Sequence, residues 1–521
     1  MASNPRQSPT APSGEPASTG EGGSAPAPAE TVAPSGAPRQ AGQVAGKGEV
    51  RVRMYRHGLG DCFIVSFIQP PGDPFHIMID CGVILGTPDA KGRLATVIGD
   101  IVQMTGGRVD VLVVTHEHYD HVAGFVLCGD SFAPAGQTQA GKLSVGEVWF
   151  AWTEKPDDPL AQQLRDQRQK RKDALAGLVG RLDGMGATEQ DGAKQIVQAL
   201  RFFGVDAAGN DASGGDNLGA TAQAMQFAAQ LSSSVKYWDP GQSWVSDAVP
   251  GVKVYMLGPP RDDAALHQTD STTEVYHLDA GFLEDAVALA AGETADGDGT
   301  RVYAPFDRGY GRSLADIISG QDTGTTADFI RRFYLGPGSG NPEADVNWRR
   351  IDDAWLGSAE QLALALDSAT NNTSLALAIE LVESGKVLLF PADAQVGNWL
   401  SWQPLQWKDE KRTVSTADLL ARTQFYKVGH HGSHNATLKE KGLEMMPASG
   451  VVAFIPVDEA MAKVKRWFEM PLPHLLDALH EHCGEAVIRT DKDPGAVLPG
   501  VNSGGSGGPF ASLYHEWVQT L

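Results

Sequence analysis

Three histidines and an aspartate, His116, His118, Asp120 and His121, fall within six positions of the stretch THEHYDH. Each can offer a lone pair to a metal ion. Imidazole mixed with carboxylate suits zinc, or manganese or iron as oxygen ligands increase. The run before them, Val109–Val114, is apolar and largely β-branched, which predicts a buried strand that stops at Thr115. On an extended segment, alternation puts His116 and His118 on one side, and the turn that follows swings Asp120 and His121 round to face them. A lone histidine after a strand is usually a solvated loop residue; this spacing predicts a metal site.

A pair of ions asks for more, roughly four to six protein ligands with one carboxylate bridging cations about 3.5 to 4 Å apart. Two more clusters stand at the ends of apolar strands. Asp393 follows KVLLFPA, and the adjacent His430 and His431 follow YKVG. Asp61 in GLGDC and Asp80 in IDCG also end strands, where a carboxylate often only shapes a turn. Polar clusters confined to strand ends predict one shared rim of a sheet sandwich.

The elements that must position these groups read as α/β. The chain has 521 residues, 42% of them hydrophobic, enough for a sizeable core. Residues 1–47 are rich in Ala, Pro, Ser, Gly and Glu and are expected to be a disordered tail. From 48 to 521 a single domain is expected. It opens with the strands VRVRMY, CFIVSFI and HIMID, a helix over Leu94–Met104, the central strand and VGEVWFAW. An insertion at about 155–240 has helical spacing, with segments at roughly 159–183, 188–203 and 217–231, and suggests a cap. VKVYML restores the strand pattern, and about 260–350, short helical pieces mixed with GSGNP and DGDGT turns, reads as a second insertion expected to shape the substrate pocket. TSLALAIEL, KVLLF, QFYKV, VVAFIP and EAVIRT complete the strands, with helices near 416–422 and 471–482. Residues 499–508 read as a flexible glycine-rich tail, and FASLYHEWV as a last docking element.

Charge narrows the partners. With 64 acidic against 42 basic residues and a net charge of −22, a surface built to wrap nucleic acid is disfavoured. The basic run RDQRQKRK, Arg165–Lys172, reads as the solvated face of a helix. Four cysteines without CxxC spacing predict buried, reduced thiols. No apolar run approaches the roughly 18 to 20 residues of a membrane helix, and no secretory signal is visible, so a cytoplasmic protein without membrane contact is expected. Oligomeric state is not legible.

In order, IDCG, THEHYDH, PADAQ and GHHGS resemble the signature series of metallo-β-lactamase-fold hydrolases. The closer resemblance is to the branch that includes the hydrolase domain of the ComEC competence protein and the bacterial phosphorylcholine esterases. Its GxGD turn is matched by Gly58, Gly60 and Asp61, its Asn-x-Ser-Leu strand start by Asn372, Ser374 and Leu375, and its KVxHHGS segment by Lys427 to Ser433 with Gly429 in the variable place. The match covers about 50–150 and 365–495; the tail and both insertions lie outside it.

The resemblance implies a four-layer αββα sandwich with helical insertions. His116 and His118 would hold one ion, Asp120 and His121 the other, and Asp393 would bridge them. His431 is preferred to His430 at the second ion, because family ligands there tend to be followed directly by glycine; the reverse order stays open. Asp80 would orient the histidine loop, with Asp61, Asn372 and Ser433 in supporting places. The superfamily's usual third histidine has no clear counterpart. Only His267 and His277 lie in the interval, and neither follows an apolar strand, so a single ion is a real alternative.

The implied chemistry is attack on phosphorus or carbon by a hydroxide whose pKa the ion brings towards about 7. Asp120 would align that nucleophile, and His430, Ser433 or His434 would contact substrate oxygens or protonate the leaving group. The expected substrate is a phosphodiester or similar ester, with zinc the favoured metal. Alternatives are a DNA nuclease of ComEC type, weakened by the acidic balance, and a non-catalytic, metal-stabilised module whose N-terminal arm recruits a partner.

Overall fold

The computed structural model describes residues 48–184, 196–205, 219–268, 312–335, 354–408 and 412–521, apart from positions 198, 466, 468, 495 and 496. The expected tail, most of the second insertion and His277 lie outside the described residues.

Strands β1 (Glu49–Tyr55), β2 (Phe63–Ile68) and β3 (Phe75–Ile79) form an antiparallel meander. Beyond β3 the sheet turns parallel, through β4 (Arg108–Val113), β5 (Ser144–Ala151) and β6 (Val235–Trp238). Parallel neighbours need crossovers, which α1 (Ala90–Thr105) and α2 (Tyr119–Leu127) supply. The second sheet repeats the plan. Strands β7 (Ser243–Val245), β8 (Val252–Met256), β9 (Leu377–Leu381) and β10 (Lys386–Phe390) are antiparallel. After a hairpin of β11 (Gln406–Lys408) and β12 (Thr413–Ser415), the parallel strands β13 (Thr423–Lys427), β14 (Val452–Ile455) and β15 (Val487–Arg489) follow.

At the far edge of the first sheet, β17 (Tyr514–Thr520) pairs with β1 from Glu49 opposite Thr520 to Tyr55 opposite Tyr514, so the expected last element does dock. The glycine-rich tail is corrected here. Part of it is β16 (Val501–Gly504), paired to β17 through its backbone, which needs no side-chain pattern. The short strands β6 and β7, only partly buried, likewise escape a sequence reading.

Neighbouring residues of one strand serve different cores, as period-two alternation requires. Ile77, Val111, Leu388 and Phe425 meet in a cluster shared by both sheets. Met78 and Leu112 instead pack with Leu94, Ile98 and Ile101 of α1 and Phe125 of α2. Leu389 and Tyr426 pack with Trp399, Trp402, Leu419 and Leu479 from helices beside the second sheet. Strands covered on both faces read as continuous apolar runs, which is how VDVLVV and KVLLF read.

In the first insertion α3 (Pro159–Gly184) and the helix Ala220–Gln230 stand where the spacing puts them. The basic run is not a solvated face. Arg168, Arg171 and Lys172 are all buried, and Arg168 meets Glu117 at 2.6 Å and Glu154 at 3.3 Å. All four cysteines are buried and free. Among the described residues no helix is long and apolar enough to cross a membrane.

Candidate metal centre

The polar clusters lie where β3, β4, β10 and β13 end, the carboxyl side of the parallel strands, which is where open α/β sheets present their ligands. Two turns grip the backbone of the histidine loop. Asp61 N donates to Asp120 O at 2.9 Å, Cys81 N to His121 O at 2.8 Å, and Gly124 N to Cys81 O at 2.7 Å. The glycines of these turns are steric necessities. A Cβ on Gly82 would overlap the Asp120 carbonyl and the His121 amide, and one on Gly60, at φ 153°, would stand 2.7 Å from Asp120 O. Asp80, Ala392, His430 and His431 hold left-handed backbone at φ 57°, 54°, 41° and 53°, conformations that non-glycine residues keep only where surrounding contacts enforce them.

The imidazoles are held from behind. His121 Nδ1 donates to Asp80 Oδ2 at 2.8 Å, and Asp80 also accepts from Thr115 N at 2.8 Å and Thr115 Oγ1 at 2.7 Å. His116 Nδ1 lies 3.1 Å from Thr115 Oγ1 and 3.3 Å from Ser374 Oγ. His431 Nδ1 donates to Pro456 O at 2.6 Å, and His430 Nδ1 to Ser433 Oγ at 3.0 Å. These tautomers follow from the bonding network, and they leave Nε2 of each ring facing inward.

What they face is acidic. His431 Nε2 is 2.7 Å from Asp120 Oδ2, and His121 Nε2 is 3.1 Å from Asp393 Oδ2. One ligand atom from each of Asp120, His121, Asp393 and His431 lies within 4.8 Å of the others, and all four residues are buried. His116 and His118 adjoin them, His116 Nε2 3.0 Å from His118 Nδ1 and its ring 4.2 Å from that of His121. Asp61, Asp80 and His121 form a second, overlapping group. Lys427 Nζ donates to Asp61 Oδ2 at 2.6 Å, Asp393 Oδ1 at 3.0 Å and Ala392 O at 2.8 Å.

Do these residues fit a cation? Asp61 Oδ1, Asp120 Oδ1, His121 Nε2, Asp393 Oδ2 and His430 Nε2 are buried without a hydrogen-bond partner. Native proteins rarely leave such atoms orphaned, and here they crowd one place. Four buried carboxylates, Asp61, Asp80, Asp120 and Asp393, share this place with one buried lysine, Lys427, which reaches Asp61 and Asp393, so acidic groups outnumber it. A mixed nitrogen and oxygen set with that acidic excess fits a divalent metal ion.

Protonation in the metal-free state tells the same story. Burial disfavours charge on His121, but Asp393, Asp61, Asp120 and Asp80 outweigh it and raise its pKa well above the usual value. His431 is raised too, against burial, chiefly by its bond to Asp120. Burial would also raise Asp393 and Asp120; Lys427 and His121 hold Asp393 well below the carboxylate range, and His121 and His431 lower Asp120. Burial, then the neighbouring His121 and His118, lowers His116 well below its ordinary value. Burial brings His118 to about 3 and His430 to about 4. Both rings therefore hold a proton more readily than a free imidazole does. Because both pKa values are raised, a divalent ion must expel these protons, so its apparent affinity is expected to increase as pH rises towards those values. Calorimetric zinc titrations at pH 7 in buffers of different ionisation enthalpy should show one to two protons released per chain; none released would contradict this protonation.

Most sequence-expected residues converge. Asp120, His121, Asp393 and His431 form the four-membered group, so of the two adjacent histidines His431 is the one that enters it, and His116 and His118 adjoin it. Asp80 orients His121, and Ser433 holds His430. Asn372 acts at one remove: its side chain donates to Leu266 O and Gln268 O and accepts from the amides of Gln395 and Asn398. One expectation is corrected: His434 is exposed rather than buried with the centre. His267, for which no ligand role was expected, bonds to Asp263 O of its own helical turn at 2.9 Å.

Sequence reasoning gave no role to Ser374, whose hydroxyl joins His116 to the Asp393 amide, nor to Lys427, although both stand in the quoted motifs. It also missed what the first insertion does. Glu117, between two candidate ligands, bonds to Arg168 at 2.6 Å and Thr221 at 2.7 Å, both from inserted helices. Phe202 O accepts from Tyr119 N, the Phe202 and Phe203 rings lie 5.2 and 4.9 Å from that of His118, and Phe202 stacks on Trp467 at 5.0 Å. The chain matches no protein-family model and no curated protein.

Proposed function

We propose that the protein is a metal-dependent hydrolase of the metallo-β-lactamase superfamily, close to the ComEC-like branch, acting on a phosphodiester or similar ester. The shared core between two sheets, with helices packed on each sheet's other face, supports a four-layer αββα arrangement. The observation that carries the reading is the convergence of orphaned nitrogens and oxygens from four strand ends on one buried, acid-rich point. His116 and His118 would hold one ion, Asp120, His121 and His431 the other, with Asp393 between. Zinc is the favoured metal and manganese or iron the alternatives.

A divalent ion there would supply a nucleophilic water near neutral pH and offset the negative charge that grows in the transition state. The chain's own residues do the rest. Asp393 and Lys427 fix the balance of charge, and Asp120, with Oδ1 unengaged, can align the attacking water. His430, lowered to about 4 by burial, has no proton to give at neutral pH, so its Nε2 accepts a hydrogen bond from water or substrate. Phe202, Phe203 and Trp467 wall the centre with apolar surface and exclude bulk water.

The choice of phosphorus over carbon rests on the resemblance alone. Against a nuclease stands the use of Arg168, Arg171 and Lys172 inside the fold, which removes the most basic run from any DNA-binding face. The test is turnover of chromogenic phosphodiesters, phosphomonoesters, carboxyl esters, lactones and DNA by metal-stripped protein reloaded with zinc or manganese. Metal-dependent cleavage of a small phosphodiester, abolished by chelator, is expected. Tight metal binding without turnover on any member would favour the binding module.

A further inference from the structure

The four histidines of the centre described so far each have a partner behind the ring. Asp80 serves His121, Thr115 and Ser374 serve His116, Ser433 serves His430 and the Pro456 carbonyl serves His431. His118 differs. Its side chain is fully buried, its Nδ1 converges with His116 Nε2 at 3.0 Å, and its other nitrogen, Nε2, points away without a hydrogen-bond partner. The carboxylate of Asp367 lies on that side. Asp367 Oδ1 is 3.7 Å from His118 Nε2, is itself buried, and has no hydrogen-bond partner, while Oδ2 is 3.3 Å from the Asn371 amide nitrogen.

We infer that Asp367 is the positioning residue of the first ion site: it accepts the Nε2–H of His118, fixes the ring's tautomer and turns the Nδ1 lone pair towards the cation. This rests on the metal-centre reading above. A separation of 3.7 Å is too long for a hydrogen bond, and an approach of under about 1 Å would make one of ordinary length. Two buried, complementary and unpartnered atoms facing each other gain from that closure. Direct ligation by Asp367 fits the geometry less well. An ion between Asp367 and His118 Nε2 would lie on the far side of the ring from the point where His116 Nε2 and His118 Nδ1 meet. Asp367 stands in the helix Ala354–Asn371, directly before the Asn372 to Leu375 motif, so the helix that leads into that motif would set the affinity of the first ion.

The test titrates metal-stripped full-length chains with zinc by calorimetry and with cobalt by visible absorption, and records the melting temperature of each stripped protein. Wild type is expected to take two ions. Asp367→Ala should keep one ion at wild-type affinity and bind the other roughly 10- to 100-fold more weakly, with an altered cobalt spectrum and no lower melting temperature. Asp367→Asn should recover most of the loss, because its amide oxygen accepts the same N–H. Unchanged affinity for both ions in Asp367→Ala would overturn the inference while leaving the metal centre standing. An asparagine variant as weak as alanine would overturn it too, by marking Asp367 as a ligand, and so would a stripped alanine variant melting several degrees lower. A wild-type chain that binds no ion would defeat the centre itself.

Discussion

Replacing Asp393 with alanine is expected to leave the protein unable to retain divalent metal and to lower metal-dependent hydrolysis on the order of 10²- to 10³-fold or more. Asp393 Oδ1 already satisfies Lys427 and the His430 amide, and Oδ2, unengaged, stands 3.1 Å from His121 Nε2. Asp393→Asn separates charge from shape, since it keeps an acceptor for Lys427 and the amide but removes the negative charge. It should fold as wild type does and still lose the metal, as read by elemental analysis of dialysed protein alongside turnover. An asparagine variant with full metal content and full activity would remove Asp393 from the centre.

Lys427→Met should have the largest effect on stability. Its ammonium is 2% exposed and bound to two carboxylates and a carbonyl, and those carboxylates, against the effect of burial, raise its pKa above the ordinary lysine value. Methionine fills similar space but strands Asp61 and Asp393 as unpaired buried charges, which costs about 3–5 kcal/mol. The loss should be greatest in stripped protein, and zinc or manganese should recover part of it by supplying positive charge at the same carboxylates. Urea unfolding of both proteins with and without metal reads this out. Equal midpoints without metal would mean that Lys427 does not neutralise the centre.

How far the centre could be read in advance depended on how local each relation was. His116 to His121 are set by one strand and one turn, and Asp393 and His431 each end an apolar run, so residue type and position point to them directly. Asp80 binding His121 follows from the same logic, because β3 and β4 are neighbours. Asp367 and Ser374 could not be placed that way. Their roles depend on where the helix Ala354–Asn371 and the chain entering β9 cross the histidine loop, with Asp367 249 positions from His118 and Ser374 258 positions from His116.

The basic run of α3 shows a different limit. A helix carrying Arg168, Arg171 and Lys172 reads as solvated unless something buried demands their charge, and that demand comes from Glu117, locked between His116 and His118. His434 fails for the opposite reason. Its type suits the chemistry, but the turn after Ser433 leaves it in solvent. In the fold, β16 is hidden by the glycines around it, since pairing with β17 runs through backbone.

Anomalous diffraction from crystals of the full chain grown with zinc would test most directly whether the histidines and acids of separate strand ends hold metal together. One or two peaks at the zinc edge, each about 2 Å from nitrogens and oxygens among His116, His118, Asp120, His121, Asp393 and His431, are the expected result. Clear density for these side chains with no anomalous peak among them, in zinc excess, would contradict it.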